Sequence, residues 1–176
     1  MNNTLLIIGN TIALIASILM VLSGIIKNKK KFIYVQSIQI FLSVISNLVL
    51  NGITGAIINF ISFIRNVLCY KNKLGLIAKI IITIISIVLC VLFNNLGIIG
   101  YLPLISTIIY LWLMNEKDII KFKYIVIITI GLWIVYDFTI KSYTAAIFDI
   151  LYVVTNTISV IQIKRRRKKW KVLYLI

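Results

Sequence analysis

Long apolar stretches alternate with short polar connections along almost the whole chain. A helix rising ~1.5 Å per residue needs about 20 apolar residues to cross about 30 Å of hydrocarbon. Seven stretches of that size are present: Thr4 to Ile26, Phe32 to Leu50, Ile53 to Tyr70, Leu74 to Phe93, Leu96 to Met114, Phe122 to Ile140 and Tyr143 to Ile163. The connections alternate in charge. Lys27, Lys29, Lys30 and Lys31 follow span one, Lys71 and Lys73 follow span three, Lys117, Lys121 and Lys123 surround the fifth connection, and Lys164 through Lys169 are all basic. Between them lie the neutral turns Asn51-Gly52 and Asn94-Asn95 and a connection whose one charge is Lys141. Basic loops stay in the cytoplasm. That rule puts sixteen Lys or Arg inside against one outside, with the amino terminus out and the carboxyl terminus in. Arg65 and Lys79 sit one to two turns from the cytoplasmic ends of spans three and four, where long stems snorkel to the surface.

A second pattern overlies the first. Shifted by 90 residues, the chain overlays on itself without a gap from Leu6 to Lys73, with sixteen of 68 positions identical. The polar and aromatic matches carry the most weight: Lys27 with Lys117, Lys31 with Lys121, Phe32 with Phe122, Tyr34 with Tyr124, Thr54 with Thr144 and Asn66 with Asn156. Asn47 and Asn59 meet their near-isosteric acids Asp137 and Asp149. Spans one to three and five to seven thus form a duplication, and span four, which has no counterpart, is the linker that keeps the two halves parallel. Duplicated halves in a membrane chain point to a transporter fold with its solute site between the repeats near the midplane.

Composition narrows the class. The chain is 61% hydrophobic, with one proline and no histidine, and its mean hydropathy is +1.08; a soluble domain is about half apolar. The net charge of +15 sits at span ends, so it sets topology and implies no nucleic-acid partner. Met1, Asn2 and Asn3 lack the basic start of a signal peptide, so the first span is expected to be retained. Cys69 and Cys90 fall near opposite ends of consecutive spans, too far apart for a disulfide, and read as two buried free thiols. Without histidine there is no His-based triad, and neither zinc spacing nor a phosphate loop occurs, so no enzyme, cofactor or metal site is expected.

Three loose motifs, in this order, carry a resemblance: Gly55-Ala56-Ile57-Ile58-Asn59 followed by Ile64-Arg65-Asn66; Leu102-Pro103-Leu104-Ile105-Ser106-Thr107; and Leu132-Trp133-Ile134-Val135-Tyr136 leading into Tyr143 to Ile163. On these the chain resembles the YgjV-type bacterial inner-membrane proteins, and more distantly the SWEET, PQ-loop and nicotinamide-riboside transporters. That resemblance implies two three-helix bundles joined by a linker helix, a small-solute path between them, and an asparagine on the third helix of each bundle facing the solute. The paired Pro-Gln of PQ-loop proteins is absent: the equivalent places read Ala13-Leu14 and Pro103-Leu104. Pro103 alone is left as a candidate gate, where a missing N–H weakens the helix.

Asn59 and Asn66 lie seven apart on one face of span three, and Asp149 and Asn156 do the same on span seven. Burying Asp mid-membrane costs roughly 2.5 to 3.5 kcal/mol, so these side chains need interior partners or water. They are candidate solute ligands in two layers, Asn59 with Asp149 or Asn66 with Asn156; the bland reading is interhelical glue. Asp137 and Asp149 flank the outer turn at similar depth, either sharing a proton or a cation or pairing separately with Lys141 or tyrosine hydroxyls. Arg65 either holds an anion or snorkels, the latter favoured. Trp133 and Tyr136 read as core before ligand-stacking residues.

The expectation is an all-α membrane protein of seven transmembrane helices: a bundle at 4–70, a linker helix at 74–93, a second bundle at 96–163 and a basic tail at 164–176. Its partners would be a small polar solute in the path and anionic lipid at the tail, about 1 kcal/mol per basic residue, with a homo-oligomer left open. The competing class is a non-transporting membrane scaffold or lipid-responsive interaction protein in which the same amides only hold helices together.

Overall fold

The computed structural model describes residues 3–25, 29–113 and 118–173. Among them are seven α-helices: α1 (Asn3–Ile25), α2 (Lys29–Val49), α3 (Ile53–Tyr70), α4 (Leu76–Phe93), α5 (Leu102–Leu113), α6 (Ile119–Thr139) and α7 (Tyr143–Leu173). A short 3-10 helix, Gly97–Tyr101, precedes α5. Five helices are long and apolar enough to span a bilayer, and the apolar stretches Ile33–Val49 and Gly97–Leu113 are the shorter two. Lys27, Lys117 and the basic-tail side chains beyond Arg165 lie outside the described residues.

Two boundaries differ from the sequence pattern. Span five divides, because Gly97 at φ 57° starts a tight turn and Pro103, which has no N–H, suits the first turn of a helix rather than its interior. The last helix runs ten residues past Ile163 to Leu173, since lysine and arginine are good helix formers whose stems reach water at a helix end.

The 90-residue repeat extends to backbone geometry. Asn51 and Lys141, which match under the shift, both adopt left-handed φ, 60° and 61°. Around them the same bonds recur: Gly52 N–H to Asn47 O and Ser142 N–H to Asp137 O, both 2.8 Å, and Ala56 N–H to Gly52 O and Ala146 N–H to Ser142 O, 2.9 and 3.0 Å. Asparagine enters this conformation readily; lysine does not, so Lys141 keeps it because the tertiary setting of the turn imposes it.

Helix packing follows the duplication. α1 packs on α2 and α2 on α3, while α5 packs on α6 and α6 on α7. Across the middle α1 meets α7 and α3 meets α5, so each half offers its first helix to the other's third. Helix α4, which has no counterpart in the repeat, lies against α3 and α5. Its buried side chains Lys79, Ile82, Ser86 and Cys90 form one helical stripe, with Ile82 and Cys90 in a core shared with Ile58, Ile61, Leu104 and Leu111. The opposite α4 face carries Ile77, Val91 and Leu92 exposed, as lipid contact demands. Cys69 and Cys90 are free thiols, the first half-buried and the second buried.

A second core closes the end that holds the α2–α3 and α6–α7 turns. Leu50, Tyr136 and Ile140 are buried there, with Leu6, Leu96, Ile99 and Leu102 packed on them. We call this the turn end. The other end, where Lys71, Lys73 and Lys164 lie, is the basic end.

Candidate functional site

A cavity of about 160 Å³ lies between the two sets of helices and is lined by α1, α2, α3, α5, α6 and α7, with no residue from α4. That is at least about ten times the roughly 10–15 Å³ a single water requires. Its walls respect the repeat: Ser17 and Thr107, Asn47 and Asp137, Asn59 and Asp149, and Ser62 and Tyr152 all line it as matched pairs. The cavity therefore draws matched positions from both halves.

Asn47, Asn59, Asp137 and Asp149 form a quartet at its wall. Each is between 4% and 9% exposed. Their side chains neither donate nor accept a hydrogen bond with any described residue. No fully enclosed side-chain nitrogen or oxygen in the described residues lacks a partner, so the tips of this quartet open onto the cavity. Asp137 and Asp149 line the same cavity wall, in keeping with their shared depth beside the α6–α7 turn.

The two sequence-derived layers separate cleanly. Asn59 and Asp149 line the cavity, whereas Asn66 and Asn156 do not. Asn66 donates to Gln36 Oε1 at 3.1 Å and accepts from Arg65 Nε and Nη2 at 3.2 and 3.0 Å. Asn156 accepts from Lys123 Nζ at 3.1 Å and donates to Tyr152 O at 2.9 Å. Both tie a third helix to the second helix of its own half, the glue role.

Arg65 departs from the snorkelling expectation. It is 4% exposed and its guanidinium lies 4.9 Å over the ring of Tyr110, facing the cavity. A helical Cα–Cβ bond points towards the helix amino terminus, so this stem starts away from the basic end, and the Tyr110 face and the Asn66 carbonyl hold its head. Lys79 is also buried, on α4. Trp133 is half-buried, lines the cavity and stands edge-on to Tyr136, centroids 5.7 Å apart. Pro103 is buried in the first turn of α5 and absent from the cavity wall, so it offers no mid-helix hinge.

The family model described as Imp-YgjV, bacterial inner membrane protein, matches residues 7–167. The chain belongs to that family. It is a bacterial inner-membrane protein, and every residue lining the cavity falls within the matched stretch. No curated protein and no solved structure matches the chain.

At the turn end of this inner-membrane protein, each half caps the other's third helix. The N-cap position of α3, Gly52, supplies no side-chain cap. Instead the Tyr136 hydroxyl, from α6, accepts from Gly55 N–H at 2.8 Å and from Thr54 Oγ1 at 3.3 Å. Asn10, from α1, accepts from Thr144 N–H and Oγ1, both 3.1 Å, and donates to Lys141 O at 3.1 Å. Four backbone donors at each helix start need partners, and here part of that need is met from the opposite half. Sequence reasoning misses Tyr136 as a cap, because its partners are some 80 residues away. Asn47 is visible in the sequence only as the match of Asp137, and its place on the cavity wall comes from the structure.

Proposed function

We propose that the protein is a carrier or facilitator for a small polar solute, with the path running between two three-helix bundles, α1–α3 and α5–α7, joined by α4 in the manner of SWEET-type transporters. The observation that carries this reading is the quartet Asn47, Asn59, Asp137 and Asp149, buried yet unpartnered around a shared cavity. Amides and carboxylates withdrawn from water without partners destabilise a fold by several kcal/mol in total. A scaffold would use them as Asn66 and Asn156 are used. Leaving four of them directed at a cavity favours water or solute as their partner.

The basic end faces the cytoplasm in this reading, with the amino terminus outside, as the lysine distribution favours. The cavity wall extends to Ser23, Gln36 and Phe122 towards the basic end, while Tyr136, Leu50 and Ile140 close the turn end, which supports an inward-open form. Rocking of the bundles, with the caps at Tyr136 and Asn10 exchanged for water, would give access from outside. The basic tail meets anionic lipid, and no catalytic step is part of the cycle.

Hydration of the cavity is the test. In a background with Cys69 and Cys90 replaced by alanine, single cysteines at Asn59, Ser17 and Asn66 are treated with a membrane-impermeant thiol reagent in inside-out vesicles. Cysteine at 59 and 17 should be modified and cysteine at 66 spared. Protection at both cavity positions in vesicles of either orientation would exclude a solute path there.

A further inference from the structure

The cavity holds opposite charges that do not meet. Asp137 and Asp149 come from the second half and Arg65 from the first, all three line the same space, and the described residues contain no ion pair joining them. Two guanidinium contacts go to Asn66 Oδ1; Nη1 has no partner among the described residues, so those donors too open onto the cavity. Guanidinium is always charged and strongly favours carboxylate or phosphate geometry. A carboxylate pair without a protein cation favours an ammonium group.

By the repeat, the charges lie at different depths along the helices. Arg65 lies six residues beyond Asn59, the match of Asp149, a rise of about 9 Å on α3. Its stem leans back over Tyr110, which shortens the gap. Trp133, Tyr110 and Tyr152 line the same cavity, and ring faces suit a cation or an apolar linker.

Resting on the carrier reading above, we propose that the solute is a zwitterion whose cationic and anionic groups are separated by a short linker, the cation seated between Asp137 and Asp149 and the anion on Arg65. Neither pole alone completes the site. An amine leaves Arg65 unpaired, and a carboxylate leaves two acids unpaired in a low-dielectric space, where unpaired charge is most unfavourable.

The test is thermal stability of the detergent-purified protein with straight-chain ω-amino acids from glycine through γ-aminobutyrate to ε-aminohexanoate, beside the alkylamine and alkanoate of each length. One or more of the longer zwitterions should raise Tm by about 5 °C or more near saturation, well above the amine and carboxylate of equal length. Arg65→Lys should keep a reduced preference, Arg65→Gln should lower the zwitterion to the level of the amine, and Asp149→Asn should abolish both. Equal shifts for zwitterion and amine, or no shift with any compound, would overturn the proposal, and both of those comparisons are made on the unmutated protein, so neither depends on a variant that folds. If cysteines at 59 and 17 are modified while the zwitterions show no advantage, the charge assignment fails and the solute path stands; if those cysteines are protected, both fail.

Discussion

Replacing Tyr136 by phenylalanine isolates one hydroxyl group. The ring survives, and with it the edge-on contact to Trp133 and the packing against Leu50 and Ile140. What disappears is the acceptor for Gly55 N–H, a buried bond of 2.8 Å, together with the weaker Thr54 contact. Thr54 rotates to another acceptor at small cost. The amide is fixed in the helix start, where Gly52 offers no cap. An unsatisfied buried donor is destabilising by about 1–3 kcal/mol. For a chain of this length about 1 kcal/mol corresponds to roughly 2–4 °C in Tm, so Tyr136→Phe should lower Tm by about 2–12 °C. In a Cys69→Ala background, the readout is a thiol-reactive dye that reports exposure of the buried Cys90 at one fixed heating rate, since detergent unfolding is scan-rate dependent. Tyr143→Phe is the matched control, because its hydroxyl has no hydrogen bond to a described residue and its ring merely contacts Phe138. A shift no larger than the control's would refute the claim that the second bundle caps α3.

Other perturbations have distinct expected outcomes. A methyl added at Gly55 would stand 2.5 Å from Tyr136 Cε1, so Gly55→Ala should destabilise by about 1–3 kcal/mol, and a double-mutant cycle should show most of that loss vanishing in a Tyr136→Ala background. Asp149→Asn exchanges an unpartnered carboxyl for an amide of the same size and leaves no partner unpaired, so Tm should hold or rise; Asn66→Ala strips the acceptor from Arg65 and a donor from Gln36 and should destabilise by about 1–3 kcal/mol in the same assay. Pro103→Ala should change Tm by less than about 3 °C and leave cysteine labelling at position 59 unaltered, because the first turn of a helix does not use that N–H; a marked change in labelling would restore a gating role.

Much of this fold is legible in the sequence because its main determinants are local or repeated. Span lengths follow from apolar runs, and the 90-residue match anticipates turns that share a left-handed residue and a bonding pattern at Asn51 and Lys141. The site is half legible. Asn59 and Asn66 share one helix face, and nothing on that helix tells a cavity ligand from a helix tie. The decision comes from α2, where Gln36 stands level with Asn66 and no described partner stands level with Asn59. In the second half Asn156 finds Lys123 instead, and not residue 126, which matches Gln36 and is valine. The tie keeps its function in both halves while its partner moves by one turn along α6. Arg65 defeats the sequence pattern for a related reason. Snorkelling is the default where a surface is near, and a residue at 110 on another bundle has to present a ring face to reverse it.

These differences between halves explain why the duplication is imperfect where it matters. Positions that only build the scaffold, such as Thr54 with Thr144 and Ala56 with Ala146, stay identical. Four polar positions on the cavity wall diverge in charge, amides at 47 and 59 becoming acids at 137 and 149, and the guanidinium at 65 has as its match Thr155, an exposed residue outside the cavity wall. A symmetric cavity would present the same group to both ends of a bound molecule and could not orient a dipole. Acids from one half and a cation from the other give the cavity a direction, and in the proposed carrier a solute that bound both would pull the halves together. In the proposed carrier, binding and closure would be one electrostatic event, strongest when the linker between the solute's charges matches the gap.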